Sequence, residues 1–267
     1  MVSTGAPIGV FDSGIGGLTV AGALLRQLPH ERLIYFGDTA RVPYGPKSPD
    51  TVRRYAHEIS AWLIDQGVKA IVVACNTATA HALPSLQREL AVPVIGVVEP
   101  GARAAVAAGP GPIGVIGTAG TIASGAYAKA IWQVAPDATI VSQACPLFVP
   151  LAEEGLFDHP ATRLIAREYL APLLAAHVHT VVLGCTHYPM LRTVLAEVLG
   201  PEVTLIDSAS ATASATAATL AQLQLAATSP SPGVHRFVAS DAPAQFLRLG
   251  QRFLGAAIER VETVTLG

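Results

Sequence analysis

The sequence predicts an α/β protein built from two similar domains, each a mostly parallel sheet flanked by helices. Three observations predict it. Short apolar, β-branched runs alternate with segments of helical spacing, the pattern of parallel strands joined by helices. The pattern then restarts after Gly109-Pro-Gly-Pro112: Ile113-Gly-Val-Ile116 echoes Ile8-Gly-Val-Phe11, and Gly117-Thr118-Ala119-Gly120-Thr121 echoes the turn that begins at Asp12. Finally, each half carries an apolar run that ends at a cysteine turn, Ala70 to Ala74 before Cys75-Asn76-Thr77 and Thr180 to Gly184 before Cys185-Thr186-His187. The expected first domain is residues 1–99 plus about 209–267, and the second about 100–208.

Bulk properties fit this class. A chain of 267 residues accommodates one large domain or two modest ones, and 51% apolar residues punctuated by 24 Gly and 20 Pro mark a globular α/β chain. A net charge of -2 leaves no electrostatic footprint for nucleic acid or an anionic membrane. No apolar run reaches the ~18 residues of a membrane span. Met1 to Pro7 leads directly into a glycine-rich strand and turn rather than a secretory signal. Three cysteines, an odd number, then read as reduced thiols in a cytoplasmic protein.

In chain order, Ile8 to Phe11 is a buried strand, Asp12-Ser13-Gly14-Ile15-Gly16-Gly17 a turn, and Leu18 to Leu28 a helix. Leu33 to Phe36 is a strand ending at Gly37-Asp38, and proline-rich Arg41 to Pro49 an ordered flap. Thr51 to Gln66 is a helix with an apolar face at Tyr55, Ile59, Trp62 and Leu63. Val68 to Ala74 is a strand, Thr77 to Leu90 a helix despite Pro84, and Val94 to Val98 a strand before Glu99-Pro100-Gly101. In the second half, Ile113 to Ile116, Ala138 to Ser142, Thr180 to Leu183 and Val203 to Asp207 are strands, and Ala161 to Ala176 is helical. The Ala-, Ser- and Thr-rich stretch Ser208 to Ala227 reads either as a linker or, through Leu220 and Leu223, as a helix crossing back to the first domain. His235 to Val238 is a last strand and Pro243 to Val261 a last helix, with Phe246, Leu249, Phe253 and Leu254 inward.

Ligands of open parallel sheets bind beyond the carboxyl ends of the strands, and Asp12, Asp38, Cys75, Thr118 and Cys185 all fall there. A cysteine that enters a helix from a strand sits at the positive end of the helix dipole, which is expected to lower its pKa toward thiolate. A lone buried cysteine is usually a small hydrophobe. A pair at repeat-related positions points instead to two thiols on opposite sides of one substrate. Cys145, which has no such counterpart, reads as structural. Asp12 reads as an Asx-turn former or as an acid–base partner of one thiol. His187 reads as a satisfied histidine or as an assistant to Cys185. Glu153 and Glu154 are ordinary loop charges on sequence grounds. A metal is not expected, because the thiols lack C-x-x-C spacing and Cys185 with His187 is the one close Cys/His pair. The Asp12 turn lacks the G-x-G-x-x-G register, there is no P-loop, and none of Lys47, Lys69 and Lys129 sits beside the glycine turns for a pyridoxal phosphate Schiff base, so no cofactor is expected.

Two opposed bases suit inversion of a stereocentre: one thiolate removes an α-proton and the opposite thiol returns one to the other face. Without a cofactor the carbanion-like state must be stabilised by donors and hydroxyls such as those of Ser13, Asn76, Thr77, Thr118 and Thr186. The runs Phe11-Asp-Ser-Gly-Ile-Gly-Gly17, Tyr35-Phe-Gly-Asp38, Pro43-Tyr44-Gly45, Ala74-Cys-Asn-Thr-Ala78, Cys145-Pro-Leu-Phe-Val-Pro150 with Glu153, Gly184-Cys-Thr-His-Tyr-Pro189 and Asp207-Ser208 make the chain resemble the glutamate racemases over nearly its whole length. That resemblance implies a cleft between two α/β domains, cofactor-independent interconversion of L- and D-glutamate, and a supply of D-glutamate for peptidoglycan. It implies Cys75 acting on D-glutamate with Asp12 nearby, and Cys185 acting on L-glutamate with His187 and Glu153 nearby. Substrate contacts are implied for Asp12, Ser13, Tyr44, Gly45, Asn76, Thr77, Thr186 and His187. Homodimers are common among such enzymes, in differing arrangements.

Overall fold

The computed structural model describes residues 3–228, 235–255 and 258–266. Strands β1 (Ile8–Asp12), β2 (Leu33–Gly37), β3 (Ala70–Val73) and β4 (Val94–Gly96) alternate with helices α1 (Leu18–Gln27), α2 (Pro49–Asp65) and α3 (Asn76–Glu89). Helix α4 (Val98–Ala107) leads to β5 (Ile113–Gly117), α5 (Ala119–Ser124), α6 (Ala126–Val134), β6 (Ile140–Ala144), α7 (Phe148–Glu153), α8 (Pro160–Ala175) and β7 (Thr180–Gly184). A short 3-10 helix (Tyr188–Leu191), α9 (Arg192–Leu199), β8 (Thr204–Asp207), α10 (Ser208–Gln222), β9 (Arg236–Ala239), α11 (Pro243–Leu254) and β10 (Glu262–Thr263) complete the chain.

The strands form two all-parallel sheets, ordered β10-β9-β2-β1-β3-β4 and β6-β5-β7-β8. The repeat read from the sequence is therefore topological. In each half the first strand is central, the second lies on one side, and the third and fourth on the other. Phe11 pairs with Val73 as Ile116 pairs with Leu183, so the strands that lead to Cys75 and Cys185 hold the same place in their sheets. Strands β9 and β10 extend the first sheet alone.

A parallel sheet covered on both faces needs strands apolar on both sides, and β1, β2, β3, β5 and β7 are buried throughout. Alternation divides them between two cores. Ile8, Val10 and Tyr35 join α1, α10 and α11 on one face of the first sheet, while Phe11, Ile34 and Phe36 join α2 and α3 on the other. In the second sheet Ile113, Val115 and Val182 face α4 and α6, and Ile116, Val181 and Leu183 face α7, α8 and α9.

The low-complexity stretch is a helix, not a linker. Asp207 caps it by accepting from Ala209 N–H at 3.2 Å. Its buried threonines return their hydroxyls to the preceding turn, Thr212 to Ser208 O at 2.6 Å and Thr216 to Thr212 O at 2.8 Å, so small polar residues pack as a core helix. Other boundaries shift for local reasons. Helix α2 starts at Pro49 rather than Thr51, because Ser48 accepts from Thr51 N–H and proline suits the first helical position. Helix α11 ends at Leu254 rather than Val261, at Gly255 in a left-handed conformation, and residues 256 and 257 of the expected helix lie outside the described residues. Helices α4, α5, α6 and α7 and strand β10 have no counterpart in the sequence reading, and Val98, expected to end a strand, begins α4. Among the described residues no helix is long and apolar enough to cross a membrane.

At the end of the sheet remote from the cysteines, Lys69 is fully buried and pairs with buried Glu31 at 2.5 Å. Its ammonium also donates to Thr4 O at 2.6 Å and Leu225 O at 2.7 Å, and Glu31 accepts from Ala227 N–H at 2.8 Å. This pair pins the end of α10 and the amino-terminal segment to the first sheet. Lys69→Met, which strands a buried carboxylate, is expected to lower stability by about 3–5 kcal/mol in urea unfolding, and Lys69→Met/Glu31→Gln by less than Lys69→Met alone.

Candidate active site

The carboxyl edges of the two sheets face each other. Between them lies a cavity of about 20 Å³ lined by Ser13, Tyr44, Gly45, Cys75, Asn76, Thr77, Thr118, Cys185, Thr186 and His187, with Val42, Pro43 and Val149. Most of the residues singled out from the sequence thus converge on one point. Such a volume holds about one water, far less than an amino acid, so the cleft is closed. Outside it, a vestibule of about 350 Å³ runs past Val42, Pro46, Ala119, Pro146, Pro150 and Glu153.

Cys75 ends the β3 connection and caps α3, its Sγ accepting from Ala78 N–H at 3.4 Å. The expected lowering of its pKa is not what the structure shows. Burial, with the neighbouring Asp12 carboxyl adding to it, pushes the Cys75 thiol up to about 12, outweighing the Ala78 N–H at the helix start. Cys185, unlike Cys75, is not a helix cap: Thr186 and His187 lead into the 3-10 helix before α9 begins. Both thiols are buried and free, as is Cys145, which packs in the core of the second domain under α7 and α8.

Asp12 forms the Asx turn that the sequence allows and also reaches across the cleft. One oxygen accepts from Gly14 N–H at 3.0 Å in an Asx turn, and the other from the Thr186 hydroxyl at 3.5 Å across the cleft. Burial holds its carboxyl above the ordinary range, opposed by the charge of His187 and by the Gly17, Gly14 and Ser13 backbone amides. His187 lies 3.9 Å from Cys185 Sγ through Nδ1 and 3.0 Å from Glu153 Oε1 through Nε2. Burial works against the imidazolium, but the hydrogen bonds and charges of Cys185 and Glu153 outweigh it and push His187 up to about 10. Glu153, not exposed Glu154, reaches the histidine.

Close approach across the cleft demands glycine at two positions. A Cβ on Gly16 would lie 2.4 Å from Thr186 Oγ1 and 2.5 Å from His187 Nδ1, and one on Gly45 would lie 2.8 Å from the Thr118 side chain. Gly120 N–H donates to Gly45 O at 2.9 Å, and Thr77 Oγ1 meets Thr118 Oγ1 at 2.8 Å and Thr121 Oγ1 at 3.1 Å. The flap is anchored from below by buried Asp38, which accepts from Tyr44 Oη, from Ser240 Oγ at 2.9 Å and from Arg41 Nε at 2.7 Å. Tyr44 therefore offers the cavity its ring and backbone, since its hydroxyl is committed to Asp38. The sequence reading missed Val42, Val149, Thr121 and Tyr127, whose hydroxyl donates to Asn76 Oδ1 at 2.7 Å. The i, i+3, i+4 spacing of Tyr127, Ala130 and Ile131, all buried, is the signal that marks the helix carrying Tyr127. No cluster of three or more metal-ligating side chains occurs among the described residues.

Two outcomes follow for stability. Gly16→Ala is expected to lose about 1–3 kcal/mol in urea unfolding, because the new methyl overpacks Thr186 and His187. Raising the folded pKa of His187 from the 6.5 of an unperturbed imidazole to about 10 makes its contribution complete below pH 6.5 and progressively lost as pH climbs toward 10. Stability measured between pH 6.5 and 9 is therefore expected to decline less steeply in His187→Asn than in the unsubstituted protein.

Comparison with known proteins bears on what this site belongs to. Residues 17–216 match the family described as Asp/Glu/Hydantoin racemase. A glutamate racemase of Geobacter metallireducens is 54% identical over 97% of this chain and 96% of its own length. The crystal structure of glutamate racemase isoform RacE1 from Bacillus anthracis is similar at 42% identity and a TM-score of 0.94, over 98% of both chains. A Francisella tularensis glutamate racemase, solved in complex with D-glutamate, is similar at 39% identity and a TM-score of 0.93, also over 98% of both chains. With the family model spanning most of the chain and such relatives along almost all of it, the chain belongs to the Asp/Glu/hydantoin racemase family, an isomerase family.

Proposed function

We propose that this protein interconverts L- and D-glutamate with two cysteine bases and no cofactor. The observation that carries the reading is the placement of Cys75 and Cys185 after equivalent strands of two repeated sheets, lining one cavity. Glutamate as the substrate is supported by the names of relatives 39–54% identical along nearly the whole chain. In the cytoplasm, the D-glutamate would serve peptidoglycan synthesis.

Cys75 takes the α-proton of D-glutamate, and Cys185 donates a proton to the opposite face; the reverse reaction exchanges the two roles. The resting Cys75 thiol is neutral, so ionising it requires positive charge that the closed cavity does not supply on that side. The substrate ammonium, held near Asp12, supplies that charge, and Asp12 receives the thiol proton. On the other side the imidazolium of His187, held by Glu153, favours a Cys185 thiolate and can return a proton to it. The two bases thus have different helpers, one for each enantiomer. Ser13, Gly45, Thr77, Thr118 and Thr186 supply hydroxyls and backbone groups for the substrate carboxylates and the developing negative charge. Substrate binding requires the flap and the two sheet edges to separate, since the closed cavity holds about one water. We place the domain boundaries near residues 99 and 208, supported by the packing of α4 on the second sheet and of α10 on the first.

Incubation with L-glutamate in D2O without added cofactor is expected to remove optical rotation and to introduce α-deuterium. Unchanged optical rotation together with no α-deuterium would overturn the reading, and turnover of L-aspartate in place of glutamate would reassign the substrate. Cys75→Ala and Cys185→Ala are each expected to lower racemisation by about 10²–10⁴-fold. Near-normal turnover in either variant would refute the two-base mechanism.

A further inference from the structure

We propose that Tyr127 is a positioning residue that turns the side-chain amide of Asn76 so that its NH2 group faces the cavity as a donor for a substrate carboxylate. The inference rests on the racemase reading above and deepens it by naming what orients the Asn76 donor.

Asn76 is the residue after Cys75 and lines the cavity, with only 3% of its surface exposed. The Tyr127 hydroxyl, on α6 of the second domain, donates to Asn76 Oδ1 at 2.7 Å. With the phenol as donor, the amide carbonyl is turned toward Tyr127 and Nδ2 away from it. Asn76 Nδ2 is buried and has no hydrogen-bond partner in the protein. A buried amide left unpaired is costly, and one that opens onto a binding cavity is satisfied by an acceptor brought with the ligand. An electron-rich acceptor is favoured there, because Asn76 opens α3 and lies at the positive end of that helix. A carboxylate fits this donor set and an ammonium does not.

The tyrosine is itself held without freedom. It is 2% exposed, and its ring is wedged between two glycines: a Cβ on Gly184 would lie 3.0 Å from the ring, and one on Gly101 3.3 Å from both ring and hydroxyl. Burial raises its pKa far above neutrality, so the hydroxyl stays a donor wherever the enzyme works. Gly184 immediately precedes Cys185. Tyr127 thus touches both cysteine turns, bonding to the residue after Cys75 and packing on the residue before Cys185.

Tyr127→Phe removes the hydroxyl and keeps the ring in its slot. Its KM for both enantiomers of glutamate is expected to rise about tenfold. The kcat should stay within about threefold, because a donor that holds the carboxylate acts on ground and transition states alike. If the hydroxyl acts through Asn76, adding Tyr127→Phe to Asn76→Ala changes KM by less than about twofold. An unchanged KM in Tyr127→Phe, or a further tenfold rise in the Asn76→Ala background, overturns the positioning role and leaves the racemase reading intact. In the unsubstituted protein the side-chain NH2 resonances of Asn76, identified by their loss in Asn76→Ala, are expected to shift when D-glutamate is added. Unmoved resonances overturn the role even if Tyr127→Phe does not fold. Absence of glutamate racemisation by the unsubstituted protein overturns both inferences together.

Discussion

Two sheet edges meet here with room for about one water between them, and this constraint governs everything built around them. The carboxyl end of a parallel strand carries free backbone groups and the polar residues of the turn that follows. Pressed against a second such edge, those groups have only each other as partners. The pairs form accordingly: Asp12 with Gly14 and Thr186, Thr77 with Thr118 and Thr121, Gly45 with Gly120, and His187 with Glu153. Burial also keeps the Cys75 thiol and the Asp12 carboxyl reluctant to ionise. A site of this kind is poised by desolvation, and its charge state changes when a charged ligand enters it.

The repeat supplies symmetry of position and the neighbouring residues remove symmetry of chemistry. Both cysteines follow the third strand of a four-strand unit with the same order. Beyond that strand the halves diverge. Cys75 opens an α-helix and lies beside a carboxyl group, whereas Cys185 opens a turn and lies beside an imidazole held by a carboxylate. The first sheet also carries β9 and β10 and the helices α10 and α11, so one domain is the larger and more heavily covered.

Local pattern made much of this legible. Apolar runs of four or five residues bounded by glycine or a polar turn are buried strands, and the echo of Ile8-Gly-Val-Phe11 in Ile113-Gly-Val-Ile116 marks equivalent central strands. Residues just after strands, such as Cys75, Thr118 and Cys185, were placed because ligand sites lie there in this architecture. What escaped depends on contacts between distant segments. Tyr127 stands in no motif, and its meaning comes from Asn76, Gly101 and Gly184 in three other elements. The raised pKa of Cys75 runs against the expectation because a helix start is visible in sequence and burial beside Asp12 is not. The alanine-rich stretch was ambiguous until α1 was seen to cover it: Gln27 bonds to Ser210 at 2.9 Å and accepts from Ser214 at 3.0 Å, fixing a helix that composition alone leaves open.

The chain passes between the two sheets and the helices that cover them twice, once where β4 gives way to α4 and once where β8 gives way to α10. The two passages run side by side, since a Cβ on Gly101 in α4 would lie 3.1 Å from the Ser208 side chain in α10. One covalent link would let the halves swing and twist in any direction. Two adjacent links define a line, and rotation about that line is the movement that stretches neither. An opening of the cleft about that line would move Cys75 and Cys185 apart along one arc and bring them back to the same mutual alignment.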